Sequence, residues 1–137
     1  MSEKLSIVLF SGTVDKLMAA SVLASGAAAM QKEVTIFATF YGLFALRKGD
    51  WKQNRRVSKD FEEYGAQFLQ AMEAKKAPSW LETLQTAIDI GNVKVKACGL
   101  TMDLLSIKLE DLEPIVSEIV GVAHFIEEAS DGQIIFL

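Results

Sequence analysis

The chain has 137 residues, half of them apolar and 23% charged, with one His and one Cys. This length suits one domain, residues 1–137, around a single hydrophobic core. A formal charge of −4 gives no electrostatic case for nucleic acid, and a lone cysteine excludes an internal disulfide and points to a reducing, cytoplasmic setting.

Met1-Ser2-Glu3-Lys4 runs straight into Leu5-Ser6-Ile7-Val8-Leu9-Phe10, a β-rich apolar run that predicts a strand buried on both faces. The run is too short for a signal-peptide core. Ser11-Gly12-Thr13 reads as a turn with a capping hydroxyl. Asp15 falls in the first turn of a helix predicted over Val14 to Met30, where it complements the dipole. The longest uncharged stretch, between Lys16 and Lys32, falls short of the roughly 20 residues a membrane span needs and is rich in Ala, Ser and Gly. It predicts a thin, buried helix and no membrane span. Glu33 to Thr39 repeats the strand pattern, and Phe40 to Leu46 predicts a loop entering a short helix that closes on Arg47-Lys48-Gly49.

Asp50 to Asp60 carries Lys52, Arg55, Arg56 and Lys59 with little apolar periodicity and predicts an exposed excursion. Phe61 to Lys76 reads as helical, with Tyr64, Phe68, Leu69 and Met72 on one side. After Pro78, Ser79 is placed to cap a helix with Glu82 three residues on, and that helix stops at Gly91. Val93 to Cys98 is the third strand, followed by a short helix from Thr101 to Ile107 and a turn-like Leu109 to Pro114. Ile119 to Val122 predicts a fourth strand, Ala123 to Ser130 a helix, and Gln133 to Leu137 a fifth strand. Strands alternating with helices predict a doubly wound, flavodoxin-like α/β sheet of about five mainly parallel strands with helices on both faces. In such sheets ligands sit beyond the carboxyl ends of the strands. Ser11-Gly12-Thr13, Phe40-Tyr41-Gly42 and Cys98-Gly99 all fall there.

Cys98 is the strongest chemical signal. It ends a strand and precedes a Gly and a helix start, where unpaired backbone N–H groups favour thiolate over thiol. A core thiol is expected mid-strand. An Asp103 carboxylate aimed at the sulfur opposes this ionisation. One facing away is an ordinary first-turn acid. Ser11-Gly12-Thr13 lacks any GxGxxG or Walker spacing, so it reads as a capped turn that can also cradle an anion. His124 has no second ligand near it in sequence, which predicts a surface or packing role and no metal site. Arg47 and Lys48 offer positive charge near the same rim, or simply suit a helix end. Half the residues being apolar is rich for a small soluble monomer and predicts a homo-oligomer.

The opening Leu5 to Lys16 with its Ser-Gly-Thr-x-Asp-Lys turn, the helix Ala19 to Met30, the Phe37 to Leu46 segment and Ala97-Cys98-Gly99-Leu100-Thr101-Met102-Asp103 resemble the DsrE/DsrF-like superfamily. The resemblance is strongest to its small sulfur-trafficking subgroup, often labelled peroxiredoxin-like, and covers nearly the whole chain. It implies a flavodoxin-like domain that assembles as a trimer or hexamer. It further implies a cysteine that carries sulfur, as a persulfide or a thiosulfonate, between rhodanese-like or TusA-like donor and acceptor proteins. The motif cysteine falls on Cys98. Family members often carry further cysteines; this chain has none, which leaves no two-thiol relay within a subunit and no resolving thiol for a peroxidase. Asp50 to Lys76 follows the family pattern least, so partner specificity is expected there.

The expected function is a cytoplasmic sulfur carrier or sulfurtransferase with Cys98 as nucleophile and no cofactor or metal. Backbone N–H groups from Gly99 to Met102, including Thr101, would stabilise the sulfur anion. Ser11, Gly12 and Thr13 would line the pocket. Two other readings stand beside it: a non-catalytic module that holds a nucleotide or small anion at Ser11-Gly12-Thr13, and an oligomeric scaffold whose Cys98 is buried and inert.

Overall fold

The computed structural model describes residues 3–137; Met1 and Ser2, where the sequence reading begins, lie outside them. Strands β1 (Lys4–Leu9), β2 (Glu33–Ala38), β3 (Val93–Cys98), β4 (Val116–Val120) and β5 (Gln133–Phe136) form one sheet in the order β4-β3-β2-β1-β5. Every pairing is parallel. The first four strands step across the sheet in chain order, and β5 returns to the free side of β1. The reversal therefore falls between β1 and β5, whereas the flavodoxin order 2-1-3-4-5 reverses between strands 1 and 3.

Alternation along the strands gives the sheet two different faces. Leu5, Ile7, Leu9, Val34, Ile36, Ala38, Val93, Val95 and Ala97 point into the main core. Helices α1 (Val14–Ala29) and α4 (Trp80–Ile90) lie over them. The alanines of α1 let it lie close: Ala20, Ala24, Ala27 and Ala28 are buried. The Ser21 hydroxyl donates to the Trp80 carbonyl at 2.8 Å and ties α1 to α4. As the sequence predicts, Ser79 caps α4, its Oγ accepting the Glu82 N–H at 3.1 Å. The opposite face holds a smaller cluster of Phe37, Cys98, Val120, Phe125 and Ala129. Its cover is α6 (Val122–Ala129), with the Phe37 and Phe125 rings stacked 4.5 Å apart.

Several boundaries differ from the sequence reading. The Thr13 hydroxyl does not cap α1; its contacts are with Ser11 and Asp15. The segment expected as one helix from Phe61 to Lys76 is a 3-10 helix, Lys59–Tyr64, followed by α3, Gly65–Ala74. Phe61 has non-helical dihedrals and breaks the periodicity. The fourth strand begins at Val116 rather than Ile119, and the helix after β3 is α5, Gly99–Leu104, beginning directly after Cys98. The stretch from Asp50 to Asp60 is not simply an exposed excursion, because Asp50 and Asn54 are buried. The Asn54 amide donates to the Gly12 carbonyl at 2.9 Å, and the Val14 N–H donates to the Arg56 carbonyl at 2.7 Å. These polar ties lash the excursion over the start of α1, and hydrophobic periodicity does not register them.

Candidate functional site

Cys98 is the last residue of β3 and the N-cap of α5. The register Ala38↔Ala97 sets Thr39, the residue after β2, beside it on the same face of the sheet. Thr101, one turn into α5, is buried, and its Oγ lies 3.2 Å from the Thr39 Oγ. The same oxygen accepts the Phe40 N–H at 3.0 Å. Burial pushes the Cys98 thiol up, but the Thr39 and Thr101 hydroxyls and the Thr101 and Leu100 N–H groups act against it. The thiol ends below its ordinary value. Asp103 is exposed and is not among the groups acting on the sulfur. With only six residues in α5, the help comes from individual N–H and O–H donors more than from a long helix dipole.

The sulfur is less open than its position at a strand end suggests. Cys98 is 4% exposed, because its side chain points to the face that α6 covers and packs with Phe37, Val120 and Phe125. The residues that follow it reach the surface. A Cβ built on half-exposed Gly99 would meet nothing closer than the Val120 carbonyl oxygen at 3.5 Å, and Leu100 is exposed. Phe40 adopts φ 49°, a conformation a bulky residue rarely accepts, and it does so next to Thr39 with its N–H on Thr101. Met102 is buried in the main core, so its side chain belongs to the opposite face from Cys98.

Ser11, Gly12 and Thr13 form a different site. With Tyr41, Phe44, Ala45 and Arg56 they line a cavity of 270 Å³, and Cys98 is not part of its wall. A Cβ at Gly12 would collide with the Tyr41 carbonyl, so only glycine lets this loop approach the short helix α2, Phe40–Phe44. Its donors are largely committed. The Thr13 N–H lies 3.3 Å from the Ser11 Oγ, and the first N–H of α1 is taken by Arg56. Asp15 sits in the same turn. Burial pushes its carboxyl up, but the Ser58 and Thr13 hydroxyls and the Asp15 and Ser58 N–H groups hold it below the usual range, so it meets any incoming anion with a negative charge.

Other charged residues are tied into the fold. The Arg47 guanidinium lies 3.4 Å above the Phe44 ring centroid and 3.2 Å from the Asp50 carboxylate, so the rim cation of the sequence reading is a structural tie. His124 is exposed, 3.6 Å from Glu128. Among the described residues no group of three His, Cys, Asp or Glu can hold a metal ion, and no helix is long and apolar enough to cross a membrane. Sequence reasoning missed Thr39 and Lys96. Lys96 is buried two residues before Cys98, on the face under α6, and its Nζ lies 2.8 and 2.9 Å from the two Glu128 oxygens and 3.1 Å from Glu118. The Lys94-Val95-Lys96 alternation looks solvent-facing in sequence, yet α6 covers its second lysine.

Comparison with known proteins bears on the family and the fold. The chain matches the DsrE/DsrF/DrsH-like family over residues 1–63 and 57–137. It is 33% identical to the uncharacterized protein YrkE of Bacillus subtilis, across 97% of this chain and 95% of that protein. It is 32% identical to the sulfur carrier protein DsrE2 of Allochromatium vinosum, across 96% of each. Among solved structures, its fold is similar to MTH1491 of Methanobacterium thermoautotrophicum, a protein of unknown function (TM-score 0.62, 13% identity, 99% of this chain and 100% of that one). It is also similar to ychN of E. coli (TM-score 0.61, 16% identity, both chains covered in full). A match along the whole chain, joined to two relatives that share nearly its full length, makes this protein a member of the DsrE/DsrF/DrsH-like family.

Proposed function

We propose that this protein is a cytoplasmic sulfur carrier that holds sulfane sulfur on Cys98 and passes it to an acceptor thiol. The observation that carries the reading is the setting of Cys98 at the end of β3, where it stands as the N-cap of α5 beside the buried Thr39 and Thr101 hydroxyls, surroundings that lower its thiol. An inert core cysteine has no use for such surroundings. The family membership and the DsrE2 relative support a sulfur-trafficking role.

In loading, the Cys98 thiolate attacks the terminal sulfur of a donor persulfide. The donor's S–S bond breaks, the donor leaves as a thiolate, and Cys98 becomes a persulfide. In unloading, an acceptor thiolate attacks that outer sulfur and Cys98 leaves as the thiolate. One S–S bond forms as another breaks in each step, so no external oxidant or reductant is needed. With tetrathionate as donor, the same attack releases thiosulfate and leaves a thiosulfonate on Cys98. The exposed aromatic residues Phe40, Tyr41 and Phe136, gathered around Phe10, support assembly with further copies of this chain.

The test is intact mass after exposure to polysulfide or tetrathionate. Wild type should gain one sulfur or one thiosulfonate group, and Cys98→Ser should gain neither. An unmodified wild type, or an equal adduct on the variant, removes the proposal.

A further inference from the structure

We propose that the cleft between residues 55–57 and the start of α3 is a docking surface for a segment of a partner protein that alternates carboxylates with apolar side chains. The cleft measures 670 Å³, room for several side chains. Val57, Gly65, Ala66 and Leu69 supply its apolar wall, and Arg55, Arg56 and Lys59 line it with positive charge. A Cβ on Gly65 would lie 2.7 Å from Val57 Cγ2, so glycine lets the two sides of the cleft approach this closely. The 3-10 helix that carries Lys59 also carries Phe61 and Tyr64, 64% and 54% exposed, with ring centroids 6.2 Å apart. Arginine beside exposed aromatic rings is the composition favoured at protein interfaces.

The charges call for a carboxylate-bearing occupant. Residues 47–59 hold six of the fourteen cations of the chain and one carboxylate, Asp50, which is buried against Arg47. The other residues carry eight cations against eighteen less that one, or seventeen, carboxylates. Among the described residues no carboxylate forms an ion pair with Arg55, Arg56 or Lys59. Glu62 is the one acid on the cleft wall; Asp60 and Glu63 are exposed beside it in sequence but do not line it. Bonds to the backbone hold the cationic segment in place. The Arg56 carbonyl accepts the Val14 N–H at 2.7 Å, and the Ser58 N–H donates to the Asp15 carboxylate at 3.1 Å. The segment is therefore ordered before a partner arrives. A long polyanion or an anionic membrane would also meet the acidic remainder of the chain, whereas a short segment touches the cleft alone. The surface is independent of the sulfur-carrier reading, since no Cys98 chemistry enters the argument.

The probe is a fluorescein-labelled peptide of sequence Glu-Leu-Glu-Leu-Glu-Leu, followed by anisotropy. Wild type and Cys98→Ser should bind it saturably and alike. Arg55→Glu/Lys59→Glu exchanges two exposed side chains and should weaken binding about tenfold, as two attractive pairs become repulsive. Phe61→Ser should weaken it about fivefold. Glu62→Gln removes the opposing carboxylate and should tighten it about threefold, a gain that a damaged fold does not give. Lys94→Glu/Lys108→Glu makes the same charge change at exposed lysines outside the cleft and should bind as wild type does. A non-saturating response, an unchanged affinity in Arg55→Glu/Lys59→Glu, Phe61→Ser or Glu62→Gln, or an equal loss in Lys94→Glu/Lys108→Glu overturns the proposal. So does tighter binding of a lysine–leucine peptide, of oligothymidylate or of phosphatidylserine vesicles. A sedimentation mass of the chain alone that falls in Arg55→Glu/Lys59→Glu would assign the surface to a second copy and equally overturn it. Loss of sulfur loading with peptide binding intact would strike only the carrier reading, and the reverse only this one.

Discussion

Each hydroxyl beside Cys98 has one proton to give. Thr101 Oγ already accepts the Phe40 N–H, and Thr39 and Thr101 lie within hydrogen-bond distance of each other. When the sulfur is a thiolate, the chain of donors turns toward it; when it is protonated or carries a further sulfur, the two hydroxyls can satisfy each other. Thr39→Val removes a donor that Thr39→Ser retains. The valine variant should move the Cys98 thiol upward and slow alkylation by iodoacetamide at neutral pH by about tenfold, since one hydrogen bond to a charged group is lost. The serine variant should stay near wild type. A pH profile of alkylation that is the same in all three proteins would show that Thr39 does not act on the sulfur. Cys98 itself was legible in sequence because it ends an alternating run before Gly99. Thr39 was not, because its neighbour in space is 59 positions away and only the β2–β3 register joins them.

At the scale of elements, α6 is the piece whose attachment decides access to the sulfur. Eight residues long, it is held by the stacked Phe37 and Phe125 rings and by the Lys96–Glu128 pair. Hydrogen bonding to Lys96 holds the Glu128 carboxyl below its usual range, and its burial is too slight to reverse this. A depressed carboxyl contributes stability that is present above its unfolded value and is lost as pH falls through the folded one. Burial pulls the Lys96 ammonium down, but its bonds to Glu128 and Glu118 raise it above the ordinary lysine value. Its contribution is therefore complete below that ordinary value and fades only in strong alkali. Lys96 has a 5% exposed side chain, but Glu128 is 29% exposed and Glu118 remains a partner. Glu128→Gln should therefore cost about 1–3 kcal/mol at neutral pH, less than the full breakage of a buried pair. Urea midpoints should show the gap between variant and wild type closing in acid, below the usual carboxylate range. A gap that persists there would mean that Glu128 acts through shape and not charge. Cys98→Ser leaves this pair intact and should not alter the gap.

Helix ends show a related limit of sequence reading. The helices α1, α3 and α5 stop on Gln31, Lys76 and Ser106, all at positive φ. In each case a following N–H reaches back to close the last turn: Lys32 to the Ala27 carbonyl, Ala77 to Met72, Ile107 to Met102. Glycine is the usual residue at such a stop, and its absence leaves these boundaries without a signal in the sequence.

For the whole molecule, one cluster of aromatic side chains, three of them exposed, lies where the chain turns at the carboxyl ends of β1, β2 and β5. Phe10 gathers the rings of Phe40, Tyr41 and Phe136 at centroid distances of 5.3, 5.6 and 5.7 Å, and Phe136 is 67% exposed. If this cluster joins copies of the chain, Phe136→Glu should shift the mass measured by sedimentation equilibrium toward the monomer while leaving the circular dichroism spectrum unchanged. An assembly that survives this charge uses another surface, and a wild type that is monomeric at high concentration removes the homo-oligomer from the proposal.

The sequence by itself determined the alternation of strands and helices, the parallel class of the sheet, the Ser79 cap and the placing of Cys98 at a strand end. These depend on period, propensity and caps, which act between residues a few positions apart. Tertiary structure alone decided the strand order, the covering of Cys98 by α6, the separation of Cys98 from the Ser11-Gly12-Thr13 cavity, the burial of Lys96 and the lashing of Asn54 and Arg56 over the start of α1. Each of these depends on which distant side chain or carbonyl satisfies a buried polar group, and that pairing arises only when the sheet has set its register.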